Sequence, residues 1–286
     1  METSRVADIL SYLRRNPRLA LGLALLAGVL LFTGIGRFVV DAKLARPLSA
    51  PVFRPPSAEY PFGTDKFGRN LLAVMIAGTP LTLQVGVIAG VVGIGIAILL
   101  AFASAYYGGW LDTAIRWIVD VGLTIPSILL LIMIAIVVRD ISVTQMALIV
   151  SSTAWLWPTR TMRSQVLSLK ERGYVELARL SGMSGLEIIF RELMPNLIPI
   201  IVANLVSTIA SAILATIGLE ALGLGPSEAP TLGRTLYWVI AYSAVLQGYW
   251  WWWTPPIVII VLIFLGLFLA STGMDEIANP RLRRAV

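Results

Sequence analysis

The 286-residue sequence contains no cysteine and no histidine, and only 13% of its residues are charged. Without cysteine there can be no disulfide and no thiolate metal site. Without histidine, imidazole metal sites, Ser-His hydrolase chemistry and histidine proton relays are all excluded. No Gly-Lys pair occurs anywhere, so the chain has no phosphate-binding P-loop of its own, and no acidic cluster suits a metal. The scarcity of charge also decides the class. A soluble domain carries roughly 25% charged residues, whereas 57% of this chain is hydrophobic and its mean hydropathy is +0.83. The sequence is that of an integral, all-α membrane protein. Its net charge of +6 then records topology rather than nucleic-acid binding. Residues 1–18 are long and charged and no small-residue site closes the following apolar run, so no cleavable signal is expected there.

A membrane span needs about 20 mostly apolar residues. The first runs over 19–36, and Arg5, Arg14, Arg15 and Arg18 before it place the N-terminus in the cytoplasm. Residues 41–80 are polar and proline-rich and are expected outside. No residue between Asn70 and Leu111 is charged, which is too long for one span. Division at Pro80 gives an interfacial helix at 70–79 and a span at 81–106, with Tyr106, Tyr107 and Trp110 as an aromatic belt and Gly108-Gly109 as the turn. A third span is expected at 115–138, with Arg116 and Asp120 paired on one face and a kink at Pro126. A fourth follows at 141–159 and a fifth at 197–220, where Pro199 suits a first helical turn. Trp250 to Trp253 read as interface anchors or, less simply, as an aromatic platform for a sugar. Pro255-Pro256 separates them from a last span at 257–273. Six spans put both termini inside, and 14 of the 22 Lys and Arg then fall on the cytoplasmic side. Asn204, Ser207, Thr208 and Ser211 share one face of the fifth span. They suit either helix–helix packing or a polar substrate path. Glu220 and Asp120 lie at span ends, where snorkelling to water is expected. With no ionisable pair at mid-membrane, coupling to an ion gradient is disfavoured and an external motor is favoured.

The longest polar interruption is residues 168–199, SLKERGYVELARLSGMSGLEIIFRELMPNLIP. Ser168 with Glu171, and Ser184 with Glu187, have capping-box spacing. The stretch therefore predicts a short helix through Tyr174, Glu176, Leu177 and Ala178, an elbow at Gly182, and a second helix with an apolar stripe at Ile188, Ile189 and Leu193, discouraged from continuing by Pro195. On the residues alone this is either an ordinary amphipathic loop or a docking element hung between spans.

Glu176-Leu177-Ala178, Gly182 four residues on, and Met194-Pro195 resemble the EAA loop of ABC-importer membrane subunits, in which Glu-Ala-Ala is followed by Gly and by Ile-x-Leu-Pro. Leu177, Glu192 and Met194 depart from that pattern. Gly63-Thr64-Asp65-Lys66-Phe67-Gly68-Arg69-Asn70 resembles the GTDxxGRD signature of the C-type membrane subunit of dipeptide and oligopeptide importers, with Asn70 in place of Asp. Read without that likeness, it is a structured turn. Gly218 to Gly225 resembles the family's LSFLGLG run, with Glu220 and Ala221 as departures, and Asn279-Pro280-Arg281 resembles its DPR ending.

The resemblance covers about residues 60–284. It implies the type I ABC-importer transmembrane fold, with residues 1–40 as N-terminus and first span, 41–80 as the external loop, 81–275 as the core carrying a coupling loop at 168–196, and 276–286 as a cytoplasmic tail. It further implies a non-catalytic permease in the cell membrane, paired in a heterodimer with a related membrane subunit. Its other partners would be one or two ATPase subunits that bind ATP and Mg, and an extracytoplasmic solute-binding protein. No cofactor is expected in this chain. Glu176, Ala178, Gly182 and Pro195 would couple ATP hydrolysis to alternating access, with peptides or, alternatively, oligosaccharides or another small solute as cargo. An ion-coupled secondary transporter and a non-transporting scaffold remain as other classes.

Overall fold

A computed structural model describes residues 16–138 and 140–278, with side chains to residue 274. The basic residues Arg5, Arg14 and Arg15 and the ending at 279–284 lie outside the described residues. Among the described residues the secondary structure is helical, with one isolated bridge between Thr64 and Asn70.

Helix α1 spans Pro17–Val39. Helix α2 spans Leu71–Tyr107 and is the hub of the bundle. At 1.5 Å per residue its 37 residues reach roughly 55 Å, well beyond a hydrocarbon core of about 30 Å. The expected division at Pro80 does not occur, because the helix runs through it. Only one backbone donor is lost at a proline, and the flanking Thr79 and Thr82 hydroxyls bond back to the carbonyls of Met75 and Gly78. Pro126 does more than kink its span: α3 (Gly109–Thr124) and α4 (Ser127–Val137) meet at 86°. Trp155 splits the fourth stretch into α5 (Val143–Ala154) and α6 (Leu156–Lys170).

After the short α7 (Gly173–Leu180), α8 runs over Gly185–Ala221. Pro195 does not stop it. The six residues Ile188–Leu193 immediately before widen into a π-helical turn, which makes room for a proline ring that would clash with the preceding turn of an ordinary α-helix. Helix α9 covers Leu232–Ala241, and α10 covers Trp250–Ala278. Here too the prolines are inside the helix: Pro255 and Pro256 follow the tryptophans in one continuous element.

Helices α5, α6 and α8 pack on α2, while α10 packs on α1 and α8. The α1–α10 contact is close because glycines face it. A Cβ on Gly22 would sit 2.6 Å from the Ala270 nitrogen, the backbone approach that small residues permit between helices in lipid. Among the described residues, four helices are long and apolar enough to cross a membrane, and five if the bent α3–α4 pair is one span.

The segment between α1 and α2 is tied down by the Gly63–Asn70 turn. Asp65 is fully buried and accepts from the backbone nitrogens of Phe67 and Arg69, both at 2.9 Å, and from the Arg69 Nε at 2.6 Å. Gly63 and Gly68 take positive φ, which a side chain would disfavour. Asn70 caps α2 by accepting from Leu72 and Ala73. Asn and Asp are equivalent as N-caps, so the Asn at this position preserves the turn's chemistry. The tryptophans rest on the same layer. Trp252 is fully buried in a cluster with Leu71, Val239 and Ala244, and the Trp251 ring nitrogen donates to the Thr64 carbonyl. Trp250 is the exposed one, so the run is chiefly a packed seam rather than an open platform.

Candidate functional site

Two features emerge from this scaffold: a capped helix–turn–helix at 173–195 and a polar-faced cavity beside α8.

The first begins with a correction. Ser168 is interior to α6 and caps nothing; the chain breaks instead at Glu171–Arg172, and α7 starts at Gly173. The elbow is as expected. Gly182, at φ +82°, donates to Arg179, and Met183 donates to Ala178. These are the paired bonds of a Schellman ending, which satisfy the last carbonyls of α7. Ser184 and Glu187 then form a reciprocal capping box that starts α8. Val175 and Ala178 turn inward onto a cluster containing Val166, Ile188, Leu193 and Leu197. Glu176, Leu177, Leu180, Gly182, Leu186 and Phe190 are exposed, as is Pro195 at the root of α8. Of the four expected coupling residues, then, Glu176, Gly182 and Pro195 are presented outward. Ala178 instead packs α7 against the chain's own core, where its small side chain allows a close approach.

The element is fixed to the bundle at several points. Lys170 Nζ donates to the carbonyls of Ala105 (3.2 Å) and Tyr106 (2.8 Å), so it caps the end of α2 with a charge of the sign the helix dipole favours. A Cβ on Gly185 would lie 2.8 Å from the Tyr106 ring, so α8 starts directly against that ring. Arg163 of α6 holds Asp112 of α3 through two 2.6 Å bonds. The expected Arg116–Asp120 pairing is replaced by a looser contact of Asp120 with Arg160 at 4.0 Å, since α6 brings its cations across to α3. None of Lys170, Asp112 and Tyr106 stands out as a partner in sequence, because each partner lies more than 50 residues away.

The second feature is a cavity of about 1280 Å³ between the α3–α4 break, α5, α6, α8 and α10. Asn204, Ser207, Thr208 and Ser211 all line it. Two of them also bond across to neighbouring helices: Ser207 Oγ meets Ser271 Oγ at 2.7 Å on α10, and Thr161 of α6 donates to Asn204 Oδ1 at 3.0 Å. Ser207 and Ser211 are exposed, whereas Thr208 is buried and bonds back to the Asn204 carbonyl. The described lining contains no Asp, Glu, Lys or Arg. Glu220 lies beyond this cavity and does not snorkel. It is fully buried, with Oε2 accepting from Thr231 Oγ1 at 2.8 Å.

The chain resembles known transport proteins over most of its length. The chain is 33% identical over 178 residues to the oligopeptide transport system permease protein OppC of Mycobacterium tuberculosis, a stretch spanning 61% of this chain and 60% of that protein. It is 27% identical over 281 residues to the dipeptide transport system permease protein DppC of Bacillus subtilis, covering 98% of this chain and 87% of the relative. It is 30% identical over 274 residues to a putative peptide transport system permease protein of Brucella abortus, covering 95% and 90%. Residues 93–284 match the family described as binding-protein-dependent transport system inner membrane component. That match covers about two thirds of the chain, including 173–195 and the cavity helices, and establishes that the chain belongs to the binding-protein-dependent transport system inner membrane component family.

Proposed function

We propose that this chain is one permease subunit of an ATP-driven importer of peptides in the cell membrane, and that it pairs with a related six-span subunit to enclose the path. The observation that carries this reading is the 173–195 element. It is capped on both sides of its elbow, displays apolar side chains to solvent, packs at Gly185 against Tyr106 at the end of α2 and continues into α8. A solvent-facing apolar patch of this kind suits a protein partner, and its continuity with α8 suits the transmission of force. In this reading α5 and α6 together form the span that the other helices leave short, giving six spans with both termini in the cytoplasm. One or two ATPase subunits bind ATP and Mg and receive the element, and this chain holds no cofactor and catalyses no reaction. Glu176 meets polar groups of the ATPase, Gly182 shapes the elbow, Ala178 seats α7, and Pro195 with its π turn sets the root of α8. An extracytoplasmic binding protein delivers cargo to the outer face, and Asn204, Ser207, Thr208 and Ser211 line this subunit's half of the path.

Peptides are favoured over oligosaccharides by the names of the relatives and by the burial of Trp252, which removes that ring from any sugar platform. The test is reconstitution of the chain with its second permease, ATPases and binding protein in liposomes. ATP-dependent uptake of labelled peptide is expected, with no uptake under an ion gradient alone. Glu176→Arg should retain ATP hydrolysis but lose uptake. Uptake driven by an ion gradient without ATP, or normal uptake by Glu176→Arg, would overturn the reading.

A further inference from the structure

Glu220 is a buried carboxylate at the outer end of α8, and neither the docking element nor the cavity uses it. Its surroundings are built for it. A Cβ on Gly225 would come within 2.5 Å of the Glu220 Cγ, and a Cβ on Gly233 within 2.7 Å of the Glu220 Cβ, so two glycines make the room this side chain occupies. Its Oε2 accepts from the Thr231 hydroxyl, and the same Thr231 oxygen accepts from the Arg234 backbone nitrogen as the N-cap of α9. The Leu232 nitrogen donates across to Thr82 of α2 at 3.1 Å. The first turn of α9 is therefore held by one bond to α2 and by one carboxyl anchor on α8. The other Glu220 oxygen, Oε1, is buried with no hydrogen-bond partner among the described residues.

α8 itself is continuous from Gly185, inside the docking element, to Ala221. Its 37 residues are roughly 55 Å long. Resting on the permease reading above, we propose that Glu220 is a positioning residue that pins α9 to the outer end of α8, so that a stroke entering at the docking element carries the external helix with it. The sequence marks the position only as a departure from the family's run at 218–225; its partner Thr231 is eleven residues away, across a loop.

The experiment compares wild type, Glu220→Ala and Glu220→Gln in the assembled importer in lipid nanodiscs, reading amide hydrogen exchange, basal ATPase activity and peptide uptake per ATP hydrolysed. In Glu220→Ala, amides of residues 231–241 should exchange roughly two- to tenfold faster, the factor that one lost hydrogen bond implies. Protection elsewhere in α2 and α8, and basal ATPase activity, should be kept, while uptake per ATP falls several-fold. Glu220→Gln keeps an acceptor for Thr231 and should recover most of both. The proposal is overturned if Glu220→Ala leaves the exchange of 231–241 unchanged. It is equally overturned if exchange rises but uptake per ATP does not fall, or if protection is lost throughout the bundle, which would make Glu220 a general fold determinant. Absence of ATP-driven uptake in wild type would instead strike the permease reading, and the exchange comparison would still judge the pin.

Discussion

The Asp112–Arg163 pair offers a quantitative test of how the inner ends of the helices are held together. Both bonds are 2.6 Å and bidentate, and the side chains are 18% and 20% exposed. Fully exposed pairs contribute about 0.2–1 kcal/mol, and breaking a fully buried pair costs about 3–5 kcal/mol. At one-fifth exposure, with two charge-assisted bonds in the fork geometry that arginine favours, a coupling of about 1.5–3 kcal/mol is expected. The assay is a double-mutant cycle of Asp112→Ala, Arg163→Ala and the double variant, followed by thermal unfolding in nanodiscs through the intrinsic fluorescence of the nine tryptophans. At roughly 2–4 °C per kcal/mol for a chain near this size, each single variant should lose roughly 4–10 °C, and the double variant little more than either. Arg160–Asp120 is an internal control. At 4.0 Å, with side chains 61% and 52% exposed, it should couple by no more than about 0.5 kcal/mol and vanish in high salt. Additivity of Asp112→Ala and Arg163→Ala to within about 0.5 kcal/mol would refute the assignment of this pair as a tie between α3 and α6.

Gly182→Ala should cost about 1–2 kcal/mol of local backbone strain, because φ is +82° and nothing lies within 4 Å to oppose the Cβ sterically; Gly182→Asn should be milder, and pull-down of the ATPase subunit measures both. Asn70→Asp should be neutral and Asn70→Leu should lose about 1 kcal/mol as the α2 cap disappears, read from the unfolding midpoint. Trp252→Ala should cost about 3–5 kcal/mol, since the ring is fully buried, while Trp250→Ala, 55% exposed, should be nearly silent; equal effects of the two in the same melt would contradict the packed-seam description. Lys170→Met should free the end of α2 and raise amide exchange at 104–107, because two charged hydrogen bonds are removed with the side-chain length kept.

Local chemistry was legible in the sequence at several places where partners are close, although the equally close Ser168–Glu171 box and Arg116–Asp120 pair did not form. The Ser184–Glu187 box, the Gly182 elbow and the Asp65 turn each close within four residues or at one dihedral, and each stands where spacing predicts it. The polar face of α8 was legible for the same reason: 204, 207, 208 and 211 recur at helical period, and all four meet one cavity. Prolines misled. Pro80, Pro195 and Pro255 read as boundaries, yet each sits inside a helix. In lipid the alternative to helix is an unsatisfied backbone, and neighbouring hydroxyls or a π turn relieve the proline more cheaply than a break does. Long-range partners were invisible. Nothing near Asp120 or Glu220 in sequence announces that Arg160 and Thr231 will face them, so ordinary span-end behaviour was the expectation for Glu220, and pairing four residues back, with Arg116, was the expectation for Asp120.

The proline that did break its helix is the informative exception. At Ile125–Pro126 the backbone leaves helical geometry and turns through 86°, within a pair of segments that together are apolar enough to span. Exposed to hydrocarbon, the freed carbonyls there would each cost several kcal/mol, on the order of an unpaired amide in an apolar solvent. Non-helical backbone at that depth persists only against protein or water. Gly122, Ile125, Pro126 and Ser127 all line the same cavity as Asn204, Ser207 and Ser211. The hydrogen-bonding side chains of α8 and the non-helical backbone at the α3–α4 break thus face one space. Its walls also differ in kind. One is α8, continuous from Gly185 to Ala221, while the opposite wall is a helix broken at Pro126, where no regular hydrogen-bond ladder spans the bend.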